Sequence, residues 1–324
     1  MGRFCSLLKV FGLTIIGISV LSLPSRAQEP SNTDPTSQVH VPPPPENADP
    51  VELEQQADRL RAQKAYLDSI DYYRAAMKTA DSAILHNKVG MCLLQLRRDS
   101  EAKKEFQRAI QLNPGHALSH GMYALYLDSM GRFEEAFREF QIAREFDPVA
   151  LGLIRSTAEH FRFMRQYDRA IAENRRVLDM DPTFENAHET LAYAYENKGM
   201  YDESINEMEQ LAIYGGEHDL AQTMKTAYAR DGYKGALKSR LKYYKDRRKA
   251  GAHVNFWDEA LTNAQLGNTD LALQALEKAY DEREDITDLG LNPSWDSIRA
   301  DPRFQDIVRR VGLPVNTKAG AGAR

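Results

Sequence analysis

The chain has 324 residues, of which 42% are hydrophobic and 27% charged, and a formal net charge of −5. This composition excludes collagen-like, mucin-like and multi-span membrane classes and leaves room for about two ordinary domains. Arg3, Lys9 and Arg26 are the only charges in the first 27 residues, so the remainder carries −8, too acidic overall for a general nucleic-acid binder.

Residues 1–27 read as an export signal: a short basic start, an apolar run from Val10 to Leu23, then Pro24-Ser25-Arg26-Ala27 with small residues at Ser25 and Ala27. Cleavage near Ala27 would start the mature chain at Gln28, giving an exported protein, periplasmic or secreted. The start Met1-Gly2-Arg3-Phe4-Cys5-Ser6 also fits a myristoylation pattern, but the apolar run directly behind it belongs to a secretory signal. With Cys5 in the leader, Cys92 is left alone, and no internal disulfide or Cys-based metal site follows. Residues 28–50 hold seven of the 14 prolines and almost no large apolar side chain, so 28–49 is expected to be a disordered, semi-extended tether.

The body is a repeat. Between Val51 and Leu291 the only prolines are Pro114, Pro148 and Pro182, each 34 residues after the last. Small residues keep the period at Gly90, Ala124, Ala158 and Ala192, and again at Ala102, Ala136, Ala170 and Ser204. Larger residues keep it at Leu93, Leu127, Phe161 and Tyr195, and at Phe106, Phe140 and Met208, with Asn174 as the misfit of that column. An earlier copy stands 33 residues upstream at Ala57, Leu60, Ser69, Tyr73 and Ala76, which makes five units over residues 50–218. Within a unit, two apolar stripes at helical spacing flank a tight turn such as Gly131-Arg132, and Asp147-Pro148 stops the second helix. Neither helix can bury its stripe alone, so stacked neighbours must supply the core.

These columns resemble the tetratricopeptide repeat family: a small residue in the first helix, a leucine or aromatic three residues on, alanine and an aromatic in the second helix, and a closing proline. The resemblance, of bacterial type, implies an all-α right-handed superhelical solenoid whose first helices line a concave face that binds peptides or proteins. The register then slips. Strict continuation would bury Lys238, Lys242 and Lys245, which desolvation forbids, so residues 219–252 read as a divergent basic helix pair turned to put Ala236, Leu237, Leu241 and Tyr244 inward. Ala260, Ala272, Leu276 and Ala279 restore the register in a further unit at 253–286. Residues 287–314, with Gly290-Leu291-Asn292-Pro293-Ser294-Trp295 and Asp301-Pro302-Arg303-Phe304, resemble the closing segment of many bacterial proteins of this family and are expected to cover the open end. The Gly- and Ala-rich tail 315–324 is expected to be disordered.

Catalytic motifs for phosphate cradles, nucleophile elbows or zinc helices are missing, and repeats and cap occupy the whole span from 50 to 313, so the reading is non-enzymatic, with no cofactor and no metal. His86, His120 and His188 recur on the period, but equivalent residues in neighbouring units lie about 8–10 Å or more apart, too far to share one metal, and are read as packing.

The family's concave positions fall on Ile84, Asn87, Met91, Leu94, Leu118, Leu125, Arg155, Glu159, Arg162, Phe163, Glu189 and Tyr193, with Glu54, Asp58 and Glu196 beyond them. The resemblance thus implies an apolar floor followed by mixed charge, suited to a protein or peptide partner in the organisation of the cell envelope. The family's carboxylate clamp and asparagine ladder have no counterpart in these positions. Separately, Lys234, Lys238, Lys242, Lys245 and Lys249 form one helical stripe, for which anionic lipid, a glycan or an acidic protein is the alternative partner.

Overall fold

The computed structural model describes residues 41–314 except 283, 285 and 287. The export signal, its cleavage site, the first part of the linker and the tail from 315 lie outside the described residues. Fourteen α-helices and one short 3-10 turn run through the described chain, without a strand among the described residues.

Ten helices form five antiparallel pairs: α1 (Pro50–Ala62) with α2 (Tyr66–Met77), α3 (Ala83–Gln95) with α4 (Asp99–Leu112), and α5 (Ala117–Ser129) with α6 (Phe133–Phe146). The series continues with α7 (Leu151–Phe163) and α8 (Tyr167–Met180), then α9 (Glu185–Asn197) and α10 (Tyr201–Tyr214). Each second helix packs on the first helix of the next pair, and α3, α5, α7 and α9 pack in succession on one another, which builds the stack.

The small-residue columns make the close crossings. Ala124, Ala158, Ala102, Ala136 and Ala170 are fully buried, and Ser204 likewise. At Gly90 the approach is closest, since a Cβ there would stand 2.5 Å from the Phe106 ring. Asn174 keeps its place in the aromatic column by donating its side-chain amide back to the Ala170 carbonyl at 3.1 Å.

Turn and stop are periodic too. One residue in each turn between paired helices has positive φ: Lys64 (61°), Arg97 (58°), Gly131 (71°), Arg165 (57°) and Gly199 (74°). Glycine adopts this left-handed conformation freely, whereas the three basic residues hold it at a local cost. At the far end of the second, third and fourth pairs, Pro114, Pro148 and Pro182 force the preceding residue out of the helical region. Asn113, Asp147 and Asp181 use that extended position to accept the amide two residues on, from Gly115 (3.0 Å), Val149 (3.3 Å) and Thr183 (2.9 Å).

Two expectations are corrected. The linker does not remain disordered to residue 49: Val41 and Ala48 pack on the first pair and the Tyr72 hydroxyl donates to the Pro42 carbonyl at 3.0 Å. Asp49 then caps α1, accepting from the Val51 amide at 2.8 Å, ahead of Pro50. The terminal segment also does more than cover an open end. After α11 (His218–Lys249), kinked at Gly232 where φ is 66°, come α12 (Phe256–Gln265), α13 (Thr269–Asp281), the 3-10 turn Pro293–Trp295 and α14 (Pro302–Val311). Trp295, Leu289, Phe304 and Ile307 share one core with α12 and α13, and that core takes in Tyr193 of α9 and meets Met130 between α5 and α6. At the end of α14, a Cβ on Gly312 would stand 4.0 Å from the Asp99 carboxylate at the start of α4. The C-terminal segment thus folds back onto the second to fifth pairs.

The stacking register makes a direct prediction. Ala136→Arg forces a charge into a fully closed crossing and lowers stability by several kcal/mol. Arg155→Ala removes a partly exposed 2.8 Å pair with Glu159 and a long 3.5 Å bond to Ser156, and costs about 1 kcal/mol. Thermal melts of the two variants should separate clearly; coincident melts would contradict the register.

Candidate functional site

The concave positions divide into an open and a closed half. In the open half, α3 and α5 present Ile84, 50% exposed, with Leu118 partly exposed beside Met91, Leu94 and Leu125, which lean on the core beneath. Asn87 does not belong to this floor: it is buried, its amide 3.9 Å from the Met91 sulfur and its side-chain oxygen unpartnered. Towards the N-terminus, Lys88 closes the strip by donating to Glu54 at 2.7 Å and Asp58 at 2.8 Å.

The closed half is occupied by the chain itself. Arg162 of α7, placed by its spacing on the open face, is only 1% exposed. Its guanidinium donates to the Asn292 side-chain oxygen at 2.9 Å and sits over the rings of Phe163 and Tyr193, 4.9 and 5.6 Å from their centroids. Glu159, 3.5 Å away, and Asp288, 4.0 Å away, supply the opposing charge. Arg165 grips Asp296 through both carboxylate oxygens at 2.9 and 2.7 Å. Arg299 ties the segment internally, donating to the carbonyls of Gly290 at 2.6 Å and Asn292 at 2.7 Å. Arg162 and Tyr193, which is also buried, are therefore not free groove residues; residues 288–296 lie where a ligand was expected.

Beside this seam is an acidic interior that the repeat pattern did not reveal. Glu189 is pushed up to about 7 by burial, reinforced by the charges of Asp258 and Glu159 and opposed by Arg155 and Arg240. Glu196 is likewise pushed up to about 7 by burial, although Gln265 of α12 donates to it at 2.6 Å. Arg240, buried, donates to the Tyr244 hydroxyl at 2.6 Å, with Asp258 at 3.5 Å.

The periodic histidines act as clips between the helices of a pair. His86, His120 and His188 bond through Nδ1 to Glu105, Glu139 and Glu207 at 2.5, 2.6 and 2.7 Å. Through Nε2, His120 and His188 reach the carbonyls of Pro114 and Pro182, each at 2.9 Å. The Glu105 bond leads in raising the affinity of His86 for its proton, while for His120 and His188 burial is the largest effect and opposes the charge, and the glutamate bond, the proline-carbonyl bond and the glutamate charge outweigh it only together. No cluster of three or more His, Cys, Asp or Glu suited to a metal occurs among the described residues. Cys92 is buried, and desolvation pushes its thiol up to about 11, which keeps it in the unreactive protonated form.

On α11, Lys234, Lys238, Lys242, Lys245 and Lys249 are all exposed, while Ala236, Leu237 and Leu241 of the same helix are buried. One of the five, Lys242, donates to Asp246 at 2.5 Å.

The tetratricopeptide repeat description matches residues 83–116 and 186–212, which fall in the second and fifth pairs. No curated protein matches the chain. Among solved structures, a tetratricopeptide repeat protein from Parabacteroides merdae is similar, with a TM-score of 0.52 at 12% identity over 81% of this chain and 98% of that one. MamA matches 52% of this chain and 93% of its own at 16% identity and a TM-score of 0.41. YrrB, a protein of the same repeat class with an unusual peptide-binding site, matches 55% of this chain and 92% of its own at 17% identity and a TM-score of 0.40. The fold is an all-α solenoid of tetratricopeptide type.

The raised groups fix the sign of a pH effect. An acid held at about 7 binds more protons folded than unfolded between its ordinary value of 4.5 and about 7, so its contribution is lost as pH rises through that window. The raised histidines act in the same direction above their ordinary 6.5. The melting temperature should be higher at pH 5.5 than at pH 8. Glu189→Gln should raise the pH 8 value by at least about 2 °C, roughly 1 kcal/mol in a chain of this size, and the pH 5.5 value by clearly less. A variant melting below the wild type at pH 8 would contradict this account.

Proposed function

We propose that the chain is a non-enzymatic, exported scaffold that holds a protein or peptide partner along the concave side of its second and third helix pairs, in the organisation of the cell envelope. The observation that carries this reading is the open apolar strip of α3 and α5, with Ile84 at 50% exposure, beside a half of the groove that the chain fills for itself. An amphipathic helix or an extended apolar peptide has the chemistry to cover Ile84, Leu118 and Leu125 while its polar side remains in water. The apolar run and Ser25-Arg26-Ala27 support export. Repeat solenoids use such extended surfaces for binding, and Ile84 and Leu118 stand one 34-residue period apart at the same place in α3 and α5.

Photo-crosslinking in the host tests the proposal. A crosslinking residue at position 84 or 118 should give a discrete adduct that fractionates with the cell envelope, whereas one at Lys104, exposed on α4, should not. Leu118→Glu should reduce the position-84 adduct roughly tenfold or more without lowering the melting temperature by more than a few degrees. Equal labelling from positions 84 and 104, or an adduct confined to the cytoplasm, would refute it.

A further inference from the structure

The second half of α11, residues 233–249, carries a surface that the groove reading does not use. Its five lysines are spaced four, four, three and four residues apart, which places them within an arc of about 80° on a helix advancing 100° per residue. The stripe runs about 22 Å from Lys234 to Lys249. All five side chains are exposed, and the helix is held from the opposite side by the buried Ala236, Leu237, Arg240 and Leu241. Over His218–Lys249 basic residues outnumber acidic ones by seven, in a chain whose net charge is −5, so the positive charge is concentrated on one element.

Most of the other basic residues of α11 are engaged. Arg247 is paired with Glu217, Arg248 with Glu259 and Lys225 with Glu209, and Arg240 is turned inward on Tyr244 and Asp258. Within the stripe, Asp246 draws on Lys242 and, at longer range, on Lys249, and Asp231 on Lys238. The stripe is therefore a net-cationic rail of flexible point charges. It contains no aromatic anchor of the kind that gives a protein interface its affinity and no arginine fork for reading nucleic-acid bases. A rail on the outside of one straight helix presents charge to a flat surface, and the matching flat anionic surface is a bilayer.

We infer that residues 234–249 form a docking face for an anionic lipid bilayer, with the lysine ammonium groups against headgroup phosphates and no insertion of the helix. Each lysine within reach of such a surface strengthens binding roughly fivefold, and the attraction falls within a Debye length of about 10 Å at 0.1 M salt. Docking from this helix leaves the strip at Ile84 and Leu118 to its own partner.

Co-sedimentation of the full chain with vesicles of 30% phosphatidylglycerol in phosphatidylcholine is the test, with pure phosphatidylcholine vesicles as the baseline for the apolar residues 10–23. Binding above baseline should fall by about 100-fold or more in the Lys238→Glu, Lys242→Glu, Lys245→Glu variant, whose melting temperature should stay within a few degrees of wild type because the three side chains are exposed. It should vanish at 0.5 M salt and survive Leu118→Glu, so that failure of this inference and failure of the groove reading are told apart. No excess over the baseline, equal binding by wild type and triple variant, or tighter binding to a DNA duplex than to the anionic vesicles would each overturn it. So would loss of the stripe's function by self-association, seen as a concentration-dependent dimer that the triple variant abolishes in place of any vesicle binding.

Discussion

No helix of this chain can bury its apolar face by itself, and the structure follows from the spacing that lets neighbours do it instead. Small residues every 34 positions bring paired helices close enough for one shared core, with a Cβ at Gly90 already too near the Phe106 ring. The same spacing sets a left-handed residue in each turn, a proline after the second helix of the middle three pairs and a histidine clip between helices in three pairs. These features fix the angle between successive pairs, and hence which side chains reach the concave side. A change in any crossing propagates, because each pair rests on its neighbours in the stack.

The stack is further constrained by its own C-terminus. A buried guanidinium is costly unless its charge and hydrogen bonds are met, and Arg162 has them met by Asn292, Glu159 and Asp288 together with two aromatic rings. The seam brings α12 against α9 and places Glu189, Glu196 and Asp258 in an interior poor in water, which raises the proton affinity of all three. Occupation of the fourth and fifth pairs by the chain's own residues leaves the open apolar strip on the second and third, which is the surface the proposed partner would use.

Much of this was legible in the sequence because periodicity carries it. Pro114, Pro148 and Pro182 mark the ends of second helices, the alanine columns mark the crossings, and Asp301-Pro302 marks the start of α14, where Asp301 accepts from the Arg303 amide at 2.8 Å. The inward turn of Ala236 and Leu237 followed from the cost of burying Lys238 and Lys242. What periodicity cannot carry is a pairing outside the repeat. Arg162 and Asn292 are 130 residues apart and share no column, so Arg162 and Tyr193 read as open concave residues although the fold buries them. The raised acids were invisible for the same reason, since the charges around Glu189 include Arg240 of α11 and Asp258 of α12, which share no column with it. The ordering of residues 41–49 rests on one tyrosine hydroxyl and two small apolar contacts, too local and too weak a signal to stand out against four consecutive prolines.

The central claim is that the solenoid closes on itself through Arg162, and a double-mutant cycle on Arg162 and Asn292 tests it most directly. Arg162→Leu, Asn292→Ala and the double variant, unfolded by urea, should give a coupling of about 1–3 kcal/mol, because each single change strands the other's buried partner. Effects that add to within about 0.5 kcal/mol would show that the two residues do not meet, and that the C-terminal segment leaves the fourth and fifth pairs open.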